Sequence, residues 1–269
     1  MINLFEEACE TQTNLLFSIV LGSSGSGKSR VAGTAPGKTL YLYFQGERHG
    51  PASAAQSGGD LLPVCLDRSR DGADLTADET FKRGLSVLDL ESLKAAGIKS
   101  IVLDGLTELE KVVRQTKVWA NSCMNSSGKH NNFAEPAATL EQIDRYMTAL
   151  RRAQDALGIH IVVTGILDVQ EIDDNGAIGT AKPRLSGYSV AEGLIQQFGD
   201  ILVVGRMKNA KGESGYVFQT ATDVQRISKD AAGNVRKFIN FTPRIAGAST
   251  LPPYIKADLN EIIKLKSGK

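Results

Sequence analysis

The chain has little of what would place it outside the cell or in a membrane. Its 3 cysteines in 269 residues, Cys9, Cys65 and Cys123, are far apart and in no C-x-x-C pair, which argues against a disulfide framework or a zinc site and reads as reduced, intracellular thiols. No run approaches the roughly eighteen consecutive apolar residues of a membrane helix. Met1-Ile2-Asn3-Leu4-Phe5-Glu6-Glu7 carries neither the basic start nor the apolar stretch of an export signal. The expectation is a cytoplasmic protein with no membrane span. An excess of one charge is missing too: 31 basic residues against 30 acidic give +1, so any basic surface that binds a nucleic acid has to be local. Internal repeats and coiled-coil heptads are absent. With 42% hydrophobic and 23% charged residues, what remains is an ordinary globular chain with ample core, one large domain with at most a small appendage.

The most informative stretch runs from Leu15 to Arg30. An apolar run, Leu15 to Leu21, leads into Gly22-Ser23-Ser24-Gly25-Ser26-Gly27-Lys28-Ser29, which fits G-x-x-x-x-G-K-[ST] at every fixed position. Glycines at 22, 25 and 27 let the backbone turn tightly, so that successive N–H groups face a polyphosphate. Lys28 would supply a charge to the outer phosphates and stay solvent-facing and unpaired until phosphate arrives. Ser29 would offer its hydroxyl to Mg2+, and the helix starting near Lys28 would present its positive end. Binding of a nucleoside triphosphate, ATP with Mg2+, is the expectation.

Thr39 to Phe44 is a continuous β-branched and aromatic run, as a strand buried on both faces should be. It ends in Gln45-Gly46-Glu47-Arg48, at the strand end where open α/β sheets bind ligands. Glu47 either points towards the phosphates or is a solvated loop residue. Residues 50 to 60 read as small and flexible, and Leu61 to Leu66 as a short apolar run. A helix is expected over Glu79 to Ala96. Ile98 to Gly105 then holds an apolar strand whose first polar residue after the run Ile101-Val102-Leu103 is Asp104, the Walker B pattern that provides Mg2+ with a hard oxygen.

Helices are expected over Leu106 to Cys123 and Thr139 to Leu157. The strand Ile159 to Val163 ends in Thr164, placed to sense the terminal phosphate unless it is a plain strand end. Gln170 to Ser189 reads as a long loop or hairpin, followed by a helix from Val190 to Phe198. Asp200 to Gly205 and Gly215 to Ala221 pair as a hairpin, and a helix covers Ala257 to Lys266.

Together these motifs resemble the RecA-like core ATPases of bacteriophages, compact relatives of the RecA and RadA recombinases, some of which act in single-strand annealing and recombination. Gly22 to Ser29, Glu47, Ser100 to Leu109, the Thr164 strand, Lys182 to Gly187 and Gln219 to Asp230 carry the resemblance. It implies an α/β fold: a RecA-like P-loop NTPase core with a mostly parallel central sheet flanked by helices and a C-terminal β-hairpin extension. Residues 14–265 would form the ATPase domain, 1–13 a cap or oligomerisation segment, and 266–269 a disordered tail. The resemblance makes Lys28 and Ser29 the phosphate and Mg2+ residues, Asp104 the Walker B acid and Glu47 the base that orients the attacking water. It makes Arg226 and Lys229 cations that complete a neighbouring subunit's site; as residues, they read equally well as a solvated strand-end pair. Where RecA-type proteins end the strand after Walker B with glutamine or asparagine, this chain has Thr164.

The implied setting is the cytoplasm of a bacterial host. The implied partners are single-stranded DNA, further copies in a ring or filament, and phage single-strand-binding or replication proteins. Lys182, Arg184 and Tyr188 would hold DNA by phosphate contact and base stacking, although Glu171, Asp173 and Asp174 oppose this and the segment could instead pack on a neighbouring subunit. A loader or motor acting on a protein partner and a small-molecule kinase are the competing classes. A kinase would show an arginine-rich lid and an acceptor pocket, neither of which is clear here.

Overall fold

The computed structural model describes residues 14–171, 178–208, 214–219, 244–247 and 254–267. Among these, nine strands form one sheet in the order β3-β2-β4-β5-β1-β7-β8-β9, with β6 paired to β5. The strands are β1 Phe17–Gly22, β2 Thr39–Tyr43, β3 Leu61–Cys65, β4 Ser100–Asp104, β5 His160–Glu171, β6 Ile178–Pro183, β7 Asp200–Lys208, β8 Ser214–Gln219 and β9 Tyr254–Lys256. From β3 through β7 all neighbours are parallel, and β7-β8-β9 continue antiparallel. The fold is therefore α/β with a mostly parallel central sheet, and the expected hairpin at its far edge is extended by β9.

The apolar runs are continuous because both faces of the sheet are covered. Alternation then assigns each residue to a face. Ile19, Leu42, Ile101 and Ile161 join the larger core, under α3 Ala77–Ser86, α5 Leu106–Val113, α7 Glu135–Leu157 and α8 Tyr188–Ile195. Val20, Tyr41, Val102 and Val162 join the smaller core, against α1 Lys28–Ala32, α2 Gly50–Ala55 and α9 Leu259–Lys266. Asp104 and Thr164 follow Val102 and Val162 by two residues, so they share the face of α1. The register sets them side by side, Asp104 opposite Thr164 and Thr164 opposite Val20.

Several boundaries differ from the sequence expectation. The helix expected over Glu79–Ala96 is two, α3 and α4 Leu90–Ala95, because the Asp89 side chain accepts from Ser92 N at 2.9 Å and caps a new start. Thr116 likewise accepts from Trp119 N at 3.2 Å and starts α6 Lys117–Ser122. Residues 50–55 form a helix with Pro51 in its first turn. Its small residues allow close packing on α1: a Cβ on Gly33 would overlap the Ala54 carbonyl. Lys266 closes α9 with its side chain 4% exposed, and residues 268 and 269 of the tail expected over 266–269 lie outside the described residues. Residues 172–177, within the loop or hairpin expected over Gln170 to Ser189, lie outside the described residues. No helix among the described residues is long and apolar enough to cross a membrane.

Candidate functional site

The loop after β1 needs glycine at two positions. Gly25 and Gly27 sit at φ +74° and +100°, which L side chains rarely adopt. The loop closes on Ser26 N donating to Ser23 O at 3.2 Å and passes into α1. The ring of Tyr216 on β8 covers Gly27 so closely that a Cβ there would overlap it. Arg30 and Arg206 lie over the same ring at 5.7 and 5.0 Å from its centre.

Lys28 does not stand free, as the sequence reading expected. Its Nζ folds back onto the loop, donating to Gly22 O at 3.1 Å and Ser23 O at 2.9 Å. Burial lowers its pKa, opposed by the carboxylates of Asp104 and Glu47. Lys28, Asp104 and Glu47 thus share one electrostatic neighbourhood although 76 positions in the sequence separate the first from the second.

Asp104 is 2% exposed. Its Oδ1 accepts from the Thr164 hydroxyl and its Oδ2 from the Tyr41 hydroxyl. Thr164 is thereby tied to the carboxylate at the end of β4. Tyr41 is fully buried.

Glu47 lies in a 3-10 turn over Gln45–Glu47. The turn is fixed by Asp67, whose two carboxylate oxygens accept from Gln45 N at 2.9 and 3.0 Å. Glu47 is half-buried beside Gly105: a Cβ on that glycine would stand 3.5 Å from Glu47 Oε1. Burial raises its pKa first and the Asp104 and Glu108 carboxylates add to this, while Lys28 and Lys111 oppose. A glutamate held towards its protonated form beside a phosphate loop can take a proton from water, which an ordinary surface glutamate does poorly at neutral pH.

The site's donor set fits a polyphosphate. Ser26 Oγ is buried without a partner, and Lys28 Nζ is shown only on loop carbonyls that an anion can replace. Among the described residues no three His, Cys, Asp or Glu side chains gather as a metal cage. Mg2+ held between phosphates needs only one or two protein ligands, and Asp104 with Ser29 could supply them. Matching these observations, the family described as AAA domain covers residues 17–232. The chain belongs to this AAA-domain family. No curated protein matches it. Membership points to a nucleotide-binding P-loop ATPase, with ATP typically bound as its Mg2+ complex.

Of the remaining candidates, Arg184 is the one whose side chain is among the described residues. Arg226 and Lys229 lie outside the described residues. Lys182 is opposite Asp168 in the β5–β6 pairing, and Tyr188 begins α8; their side chains lie outside the described residues. Arg184 forms an ion pair with Asp168 at 3.3 Å, and its carbonyl accepts from Thr107 Oγ1 at 3.1 Å. Sequence reasoning missed Tyr41, Asp67 and Tyr216. For Tyr41 a signal was there: a tyrosine in a strand buried on both faces needs a partner for its hydroxyl.

Proposed function

We propose that this AAA domain is a Mg2+-dependent ATPase of the RecA-like kind that acts on single-stranded DNA in phage recombination, annealing or replication. The convergence of Lys28, Asp104 and Glu47 beside the phosphate loop carries the hydrolytic part. Loop N–H groups would hold the phosphates, with Ser26 Oγ as a further donor. Lys28 would exchange the carbonyls of Gly22 and Ser23 for phosphate oxygens, a short movement of a side chain already in place. Ser29 and Asp104 would hold Mg2+, which when bound neutralises phosphate charge. Glu47 would orient the attacking water and accept its proton.

For DNA, support comes from continuity. β5 carries Thr164, which hydrogen-bonds to Asp104, and the same strand runs on to Glu171 into the segment holding Lys182, Arg184 and Tyr188. The chemistry at the phosphate and the grip on a strand would thus share one element. Arg226 and Lys229 would act on the site of a neighbouring copy in a ring or filament.

ATP turnover measured with and without single-stranded DNA, beside particle size in both states, tests this. Stimulation by DNA with formation of larger particles is expected. Turnover indifferent to DNA but raised by a protein partner would point to a loader or motor; phosphate transfer to a small molecule would point to a kinase.

A further inference from the structure

We infer that Tyr41 is a positioning residue for the metal: its hydroxyl, donated to Asp104, sets the orientation in which that carboxylate receives Mg2+. This rests on the nucleotide site proposed above and adds a residue that the phosphate-loop and strand-end motifs do not contain.

The placement follows from the sheet. Tyr41 is opposite Val102 on β4, two residues before Asp104 and on the same face, so its long side chain reaches diagonally along that face to the carboxylate. It donates to Asp104 Oδ2. The other carboxylate oxygen is held by Thr164. With one hydroxyl on each oxygen, the carboxylate plane is fixed, while lone pairs remain for a metal ion or its water.

The back of this arrangement is closed by backbone. A Cβ on Gly50 would overlap Asp104 Oδ2 and stand 3.2 Å from the Tyr41 hydroxyl, so neither group can retreat towards α2. The phenol ring packs in the smaller core with Val31, Ala32 and Ala54, which fixes where its oxygen lies. A tyrosine buried only to fill space could use any partner for its hydroxyl; this one holds the carboxylate suited to the metal.

Outer partners of metal ligands typically contribute tenfold to a hundredfold in metal affinity. The test is Tyr41→Phe, which keeps the ring and removes the oxygen, read by binding of a fluorescent, non-hydrolysable ATP analogue in EDTA and across a Mg2+ titration. Expected are unchanged affinity in EDTA and a rise of about tenfold in the Mg2+ concentration at half-effect. In an Asp104→Asn background the same substitution should add little, because its route is through that carboxylate. Gly50→Ala, whose methyl would overlap Asp104 Oδ2 and crowd the Tyr41 hydroxyl, should shift the Mg2+ titration in the same direction. Identical Mg2+ titrations for Tyr41→Phe and the unaltered protein overturn the inference, as does a Tyr41 effect of equal size in EDTA. If the unaltered protein shows no Mg2+-dependent binding at all, the nucleotide reading itself falls, an outcome distinct from either of those.

Discussion

The ammonium of Lys266 lies 3.1 Å from both carboxylate oxygens of Asp200, with the two side chains 4% and 0% exposed. Asp200 also accepts from Ser18 Oγ at 2.9 Å and Ala246 N at 2.9 Å, while Lys266 reaches Leu15 O at 2.8 Å. The last helix is thus bolted to the start of β7 and to β1, the strand that carries the phosphate loop. Removing one partner of a buried pair leaves the other charged and unpaired, typically at 3–5 kcal/mol. Lys266→Met is expected to destabilise the fold by about 3 kcal/mol, read by chemical denaturation. Little change would mean that water or Ser18 and Ala246 alone satisfy Asp200.

His160 shares this region, its Nδ1 accepting from Leu16 N at 3.2 Å. Burial, then the Lys266 charge, push its pKa down to about 4. The unfolded chain, with histidine near 6.5, binds more protons between these values, so stability falls as pH drops from about 6.5 towards about 4. His160→Asn should flatten that limb of a pH–stability profile.

Lys28→Ala should leave the fold intact and lower ATP turnover at least about a hundredfold, since a preorganised cation is lost where charge develops. Nucleotide affinity should fall with it. Normal turnover would remove the phosphate-loop reading.

Glu47→Gln is expected to bind ATP and hydrolyse it slowly, since the amide keeps the shape but accepts no proton. In the unaltered protein the acid limb of the turnover profile should lie above the range of an ordinary glutamate, because burial and Asp104 raise this carboxyl. Its folded pKa exceeds the unfolded one, so ionisation costs stability as pH rises through that window, and Glu47→Gln should abolish this loss. A pH–turnover curve and melts across the same range check both signs.

Lys182→Ala combined with Arg184→Ala should weaken single-strand binding and reduce its salt dependence by about two counterions, leaving DNA-free turnover nearly unchanged. Because Arg184 already pairs with Asp168, Asp168→Asn should strengthen binding. A salt slope unmoved by the double substitution would place DNA elsewhere.

The phosphate loop was legible in the sequence because its chemistry is backbone chemistry: glycines at fixed spacing after an apolar run have few other uses. Asp104 and Thr164 were legible as strand ends, and the strands themselves as apolar runs too continuous for one buried face. Helix breaks at Asp89 and Thr116 were not, because an apolar period survives a short cap. What only the tertiary structure decided is how residues remote in sequence meet. Parallel register set Asp104 beside Thr164, alternation turned Tyr41 to the same face, and Asp67 came back across the sheet edge to fix the turn bearing Glu47. These contacts depend on strand order, and strand order depends on which faces the whole chain can bury together. No local pattern around Tyr41 or Asp67 contains that information.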